Sequence, residues 1–462
     1  MTSEHLVIVG GGPAATNAME TIRRYNETAR ITLICDEPPH SRMALPYWLA
    51  GQIPREQTHT GDDAYFRRLR VDVRLGTRVT KLNEQARTLE LDSNETLAFD
   101  RLLLATGSVP VPLPIPGADL PDVLHLWTLA QTDAVLQAAA HHARPRVVMI
   151  GAGFIGLIVL NAMYKRGWEL AVVERDSQIL PRMLDNHAAS IAQAWLEHKQ
   201  VAVHWGVEVQ AIEMDNQGQK HVRLSNGSLL PADIVIVATG VRPNVSLVAD
   251  TSIEIEHGIL VDHQLCTNVA GIYAAGDVAQ APIRFSNRRE VHAIQPTAVD
   301  HGRVAGANLA GQEIQYPGSL SMNVLDICGL QSASFGDWNN AQSESFVIAN
   351  PHESIYRCLK WTDDRITGAI FVGRANNLGM LTDVGMVKGM IQTGASLGSW
   401  KEFLRKNPFD IRRAFVANNI PQQLLKDTLL GQPAQARQYR YDGAAATHRP
   451  GAAHHLYVHT KE

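Results

Sequence analysis

Cysteine is scarce in this chain. The 462 residues hold four, Cys35, Cys266, Cys328 and Cys358. None forms a C-x-x-C pair, and none stands beside a histidine at zinc-ligand spacing. The sequence therefore offers no disulfide framework, no structural zinc site and no cysteine cradle for an iron–sulfur cluster of its own. No run approaches the ~20 apolar residues that cross a bilayer, so no membrane span is expected. Neither sign of charge dominates: 42 Lys and Arg oppose 46 Asp and Glu, for a formal net charge of −4. That balance gives no electrostatic reason to expect nucleic acid or an anionic membrane as the main partner. A basic leader is missing as well. A predicted strand begins near Leu6 and runs straight into a glycine turn, leaving no room for a signal peptide. The cytoplasm is the expected compartment. What is present is ordinary globular composition, 45% hydrophobic and 19% charged, over a length of about three domains.

The first informative segment is Leu6-Val7-Ile8-Val9 followed by Gly10-Gly11-Gly12-Pro13-Ala14-Ala15. It matches G-x-G-x-x-A between a buried β-branched strand and a helical stretch reaching about Arg24. The first glycine permits the turn, the second lets backbone approach a pyrophosphate, and the small third residue lets helix pack close to strand. The pyrophosphate then rests on the positive end of the helix. A second strand, Ile31-Thr32-Leu33-Ile34, leads to Asp36-Glu37, carboxylates that can accept hydrogen bonds from a ribose.

The unit occurs twice. Val147-Val148-Met149-Ile150 leads into Gly151-Ala152-Gly153-Phe154-Ile155-Gly156 and a helix to about Arg166, with Gly167 suited to its C-terminal cap. The next strand ends at Glu174. A carboxylate there binds the ribose hydroxyls of NAD and repels a 2′-phosphate, although the adjacent Arg175 could accept one. NADH is expected over NADPH. Two dinucleotide folds imply two dinucleotides, and FAD with NAD(H) is the natural pair, because flavin converts two-electron chemistry into single-electron steps.

Further segments follow in order: Leu102-Leu103-Leu104-Ala105-Thr106-Gly107-Ser108, Val235-Ile236-Val237-Ala238-Thr239-Gly240, and Ile272-Tyr273-Ala274-Ala275-Gly276-Asp277-Val278. From about residue 5 to 415 the chain resembles the two-dinucleotide flavoproteins of the pyridine nucleotide–disulfide oxidoreductase superfamily. The nearest branches are rubredoxin and ferredoxin reductases, NADH oxidases and the FAD part of NADH-dependent nitrite reductase. The resemblance implies an α/β fold with two Rossmann-like domains, the NAD domain inserted in a split FAD domain, and an α+β C-terminal interface domain. The expected divisions are 1–117 with 246–316 for FAD, 118–245 for NAD, 317–420 for the interface domain and 421–462 for an arm or tail. Implied FAD contacts are Gly10, Gly12, Pro13, Ala14, Ala15, Asp36, Glu37, Arg42, Pro46, Val79, Ala105, Thr106, Gly107, Gly276, Asp277, Pro296, Thr297 and Ala298. Implied NAD contacts are Gly151, Gly153, Phe154, Ile155, Gly156, Glu174 and Gly240. Asp277 is expected to meet the ribityl chain. Pro296 should open a helix whose outward Thr297 and Ala298 amides face the flavin pyrimidine.

Departures from the family pattern carry as much information. Aligned on Leu45-Pro46-Tyr47, the redox cysteine of NADH oxidases and coenzyme A disulfide reductases falls at Met43. A thioether forms neither a sulfenate nor a mixed disulfide. Cys35, the nearest thiol in sequence, reads as an apolar packing residue. The lysine of the ferredoxin-reductase branch falls at Tyr47, and its glutamate partner at Ile158. Both halves of a charge pair are thus replaced, which is tolerated where loss of one half would not be. Tyr47 and Ile158 are expected to flank the flavin–nicotinamide contact in its place.

The tail, rich in Gln, Ala, Gly and Pro, carries His448, His454, His455 and His459, read as solvated with no metal expected. The favoured activity is an FAD-dependent oxidoreductase that exchanges electrons between NAD(H) and an iron–sulfur protein or partner subunit, as the NAD-linked flavin subunit of a larger redox complex. A homodimer through the C-terminal domain is compatible with it. The alternatives are a stand-alone NADH oxidase using oxygen and a non-catalytic nucleotide-binding redox sensor.

Overall fold

A computed structural model describes residues 4–425 and 429–430. The rest of the tail, with its four histidines, lies outside the described residues. The first β-branched run forms the strand His5–Val9, at the centre of a five-stranded sheet. Parallel strands Arg30–Cys35 and Val71–Leu75 lie on one side, and Arg101–Leu104 and Ile272–Ala274 on the other. All but the first residue of His5–Val9 are buried, the pattern of a strand covered on both faces. An antiparallel three-stranded sheet, Val79–Asn83, Thr88–Leu91 and Thr96–Ala98, fills the crossover before Arg101.

Arg146–Ile150 nucleates a second parallel sheet in the same way, flanked by Glu169–Glu174 and Ile234–Val237, with Ala202–Trp205 and Val123–Leu124 at its edges. The chain enters this sheet at Val123 and then returns to the first sheet at Ile272. Where it crosses, Ser108–Pro110 pairs antiparallel with Val241–Pro243. Thr106 Oγ1 donates to the Asn244 carbonyl at 2.8 Å across the same junction.

The third unit is a five-stranded antiparallel sheet ordered Met322–Ile327, Leu330–Gly336, Arg365–Arg374, Ile355–Thr362 and Glu344–Asn350. The helix Leu378–Thr393 packs on it. Ile327, Leu330, Tyr356, Ile370 and Val372 share one core with Val147, Leu160 and Ile191 of the second unit. Trp195 Nε1 donates to the Cys328 carbonyl at 3.1 Å, and Tyr356 Oη donates to Asp185 Oδ2 at 2.5 Å. The second and third units therefore bury apolar surface against each other. Among the described residues, no helix is long and apolar enough to cross a membrane.

Candidate functional site

Two glycine loops are built alike. Gly10 has φ +110° and Gly151 has φ +105°, backbone angles that favour glycine. A Cβ on Gly10 would sit 2.1 Å from the Ala105 carbonyl oxygen, and one on Gly151 would sit 2.5 Å from that of Ala238. These glycines let two strand ends touch. The next glycine of each motif is the opposite case: a Cβ on Gly12 or Gly153 would meet nothing within 4 Å. Both open positions cap helices, Pro13–Tyr25 and Phe154–Lys165. Open space at a helix N-terminus is what a dinucleotide pyrophosphate requires. Close helix packing comes from the small residues. A Cβ on Gly156 would press on the Gly151 carbonyl, and one on Gly302 or Gly306 on the backbone of Ala14 or Ala18.

A cleft of about 330 Å³ opens in front of the first loop. Its walls include Gly12, Pro13, Ala14, Asp36, Glu37, Arg42, Pro46, Ala105, Gly107, Gly276, Asp277, Pro296 and Ala298 from the first unit. Phe154, Ile155 and Ile158 come from the second, and Met322 and Val324 from the third. Three units thus meet at one cavity. Gly10, Ala15, Thr106 and Thr297 are not on its wall. Ala15 and Thr297 are buried beside it, and Thr106 is turned to Asn244. Val79 begins an antiparallel strand and packs on the first core, away from the wall. Gly151, Gly153, Gly156, Glu174 and Gly240 belong to the second loop and its neighbouring strand ends, and none of them lines the cleft.

The Tyr47 and Ile158 expectation divides. Ile158 lines the cleft. Tyr47 is 52% exposed and off its wall. In the short Leu45–Leu49 helix the inward residues are Leu45, Trp48 and Leu49, spaced i, i+3, i+4. That phase turns Tyr47 outward, while Met43 and Pro46 form the wall. The helix expected to face the flavin also differs from expectation. It starts at Gln295, with Pro296 second, and the Ala298 amide donates to the Ile294 carbonyl at 3.1 Å. Ile294 is the N-cap, whose carbonyl takes the first helical bond, so the Ala298 amide does not point outward.

Electrostatics converge on Asp277. It accepts from Ser108 Oγ at 2.7 Å, and Arg42 Nη1 lies 3.7 Å from the same oxygen. The Gly276 amide donates to His301 Nδ1 at 3.3 Å. Burial pushes the His301 imidazole down to about 3, so it stays neutral and can accept that bond. Cys35 also lines the cleft. Burial, then the carboxylates of Asp36 and Glu37, push its thiol up to about 12. In the second loop, Glu174 Oε2 accepts from the Ala152 amide at 2.6 Å and Oε1 from the Asp176 amide at 3.0 Å. Both bonds hold the carboxylate at the strand end beside the open Gly153 position. Sequence reasoning missed His40, Trp127, Met322 and Val324, all on the cleft wall. A lone Trp before the Thr128 capping box was the one local signal for Trp127.

The model of the pyridine nucleotide-disulphide oxidoreductase family matches residues 4–302. The chain belongs to this family. It is similar to an NADH oxidase of Methanocaldococcus jannaschii, 32% identical over 71% of this chain and 75% of the relative. It is also similar to the NADH-dependent phenylglyoxylate dehydrogenase subunit epsilon of Aromatoleum evansii, 31% identical over 77% and 84%. Among solved structures, the ferredoxin reductase for the CYP199A2 system from Rhodopseudomonas palustris superposes with a TM-score of 0.77. That match is 25% identical and covers 89% of this chain and all of the other. The protein is an NAD(P)H-dependent flavin oxidoreductase that uses FAD and NAD(H). The open Gly12 and Gly153 positions and the buried Arg42 Nε, which has no partner among the described residues, fit those cofactors.

Proposed function

We propose that this chain carries electrons from NADH through FAD to an iron–sulfur protein or partner subunit, as the NAD-linked flavin component of a larger redox system. One observation supports the reading: Cys35 is the only cysteine on the cleft wall among the described residues, and burial beside two carboxylates disfavours its thiolate. Met43 stands at the family's redox-cysteine position, and the Cys35 thiol is pushed up to about 12. When bound, the flavin takes two electrons from reduced nicotinamide and releases them singly.

The residues around it have separable roles. Gly12 and Pro13 leave the first helix end open to a pyrophosphate, and Asp277 fixes a hydroxylated chain. Glu174 selects the unphosphorylated ribose. Met43, Pro46, Phe154 and Ile158 exclude water where the two cofactors meet, a contact that tolerates little misplacement. The proposed divisions are 1–117 with 246–316 for FAD, 118–245 for NAD and 317–420 for the interface domain. The return of Ile272–Ala274 to the first sheet supports them.

Similarity to an NADH oxidase favours a second reading, with oxygen as acceptor. NADH consumption with and without an artificial dye, in air and under argon, separates the two. Fast dye reduction with slow oxygen uptake supports the first reading, and rapid oxygen uptake without dye overturns it. Failure of both reactions in FAD-loaded protein leaves a nucleotide-binding sensor.

A further inference from the structure

We propose that Trp127 is a positioning residue: its indole holds the Arg42 guanidinium in place for the anionic pyrophosphate of the first cofactor. The inference rests on assigning the cleft to FAD. Trp127 lines the cleft, and the Arg42 guanidinium carbon lies 4.6 Å from its ring centroid. A cation over an indole face is attracted by the ring quadrupole, more strongly as water is excluded from the pair. The contact is made with the ring face, so it occupies no hydrogen-bond acceptor.

The ring is pinned at its nitrogen, and the backbone that carries it is pinned at a helix start. Trp127 Nε1 donates to the Ser108 carbonyl at 2.7 Å, and Ser108 Oγ donates to Asp277. The Trp127 amide donates at 2.9 Å to Gln131 Oε1, the oxygen that also takes the Thr128 amide in the capping box starting the Leu129–Ala140 helix. Glu37 Oε2 takes the Leu129 amide of the same helix start. The indole thus cannot swing without breaking its bond to the Ser108 carbonyl, and its backbone is anchored at the helix start.

Arg42 is held less firmly by anything else. Its closest carboxylate contact, Asp277, is 3.7 Å away, beyond hydrogen-bond reach. Its Nε is buried and has no partner among the described residues. A buried donor left unpaired is costly, and no other side chain among the described residues holds that edge of the group. The side chain lies against Gly107, whose missing Cβ would come within 3.2 Å of Nη1. Gly107 below and Trp127 beside it together define one position for the guanidinium.

The test is a double-mutant cycle on FAD affinity, read by quenching of flavin fluorescence on titrating FAD-stripped protein. Trp127→Leu should weaken FAD binding about tenfold, and Trp127→Phe, which keeps a ring face but loses the donor to Ser108, by about threefold or less. In an Arg42→Gln background, Trp127→Leu should change the dissociation constant less than twofold, since nothing remains to be positioned. The FAD-free thermal midpoint is compared in parallel. An unchanged dissociation constant in Trp127→Leu, or a full tenfold loss persisting without Arg42, overturns the proposal. If the leucine variant does not fold, the phenylalanine variant carries the cycle, and an equal loss in both backgrounds overturns it. Failure of the unsubstituted protein to take up FAD would instead refute the cleft assignment.

Discussion

Glu174 Oε2 accepts the amide of Ala152 at 2.6 Å, which locks the end of one strand onto the glycine loop of another. The carboxylate therefore serves the loop as well as the ribose proposed for it. Glu174→Gln keeps an acceptor oxygen and removes the charge. NADH kcat/KM should fall about tenfold, since hydrogen bonds to charged groups are worth about 1.5–3 kcal/mol. The NADPH value should hold or rise, because the like-charge repulsion is gone. Steady-state comparison of both nucleotides checks this. A wild-type preference for NADPH would instead assign selectivity to Arg175.

Gly10 and Gly12 should separate folding from cofactor binding. Gly10→Ala drives a methyl into the Ala105 carbonyl at a φ that alanine disfavours. Little soluble protein is expected, with a loss of several kcal/mol in what folds. Gly12→Ala meets only open space at an ordinary φ of −77°. Its FAD-free thermal midpoint should match the parent, while FAD affinity drops at least tenfold. Differential scanning fluorimetry with and without FAD distinguishes the two. A Gly12→Ala protein that binds FAD normally would remove the pyrophosphate from this loop.

The two glycine loops and their order were legible because they are local: strand, turn and helix lie within about 25 residues, and each residue type answers a short-range steric demand. Asp277 was legible only through the resemblance to a family motif, and it stands on the cleft wall. The inward face of residues 42–49 was not. A five-residue helix has too few turns for its phase to be read from apolar spacing, and Tyr47 looks as apolar as Met43 until packing places Trp48 and Leu49 inside. Trp127, Met322 and Val324 reach the cleft only through tertiary folding. No spacing in the chain links them to Gly12.

Turnover should need no cysteine. With its thiol pushed up to about 12 by burial and by Asp36 and Glu37, Cys35 stays protonated at pH 7, and thiolate is the reactive form. Cys35→Ser and Cys35→Ala should keep NADH-to-dye rates within about twofold, and iodoacetamide at pH 7 should not inhibit the parent. Cys266, Cys328 and Cys358 lie off the cleft wall and should be equally dispensable. Loss of dye reduction in a folded, FAD-retaining Cys35→Ser protein would count against the electron-transfer reading.

The Leu45–Leu49 helix packs on the Phe154–Lys165 helix, so Tyr47 and Ile158 sit on neighbouring elements although only Ile158 reaches the wall. Ile158→Glu places a carboxylate among Phe154, Ile155, Leu126 and Met43. Desolvation there raises its pKa and disfavours its charged form. The variant should lose about 1–3 kcal/mol of stability and at least tenfold in NADH-to-dye rate. Tyr47→Lys should cost little by itself, because the position is half exposed and the ammonium can stay in water. Combined, the long lysine side chain can reach from the rim toward the carboxylate and offset part of its desolvation. Favourable coupling of about 1 kcal/mol in a double-mutant cycle on the rate is expected. Coupling should shrink in high salt, as an ion pair at a cleft mouth is partly screened. Strict additivity at low salt would mean that the two positions do not communicate, and that Tyr47 plays no part at the contact between the cofactors.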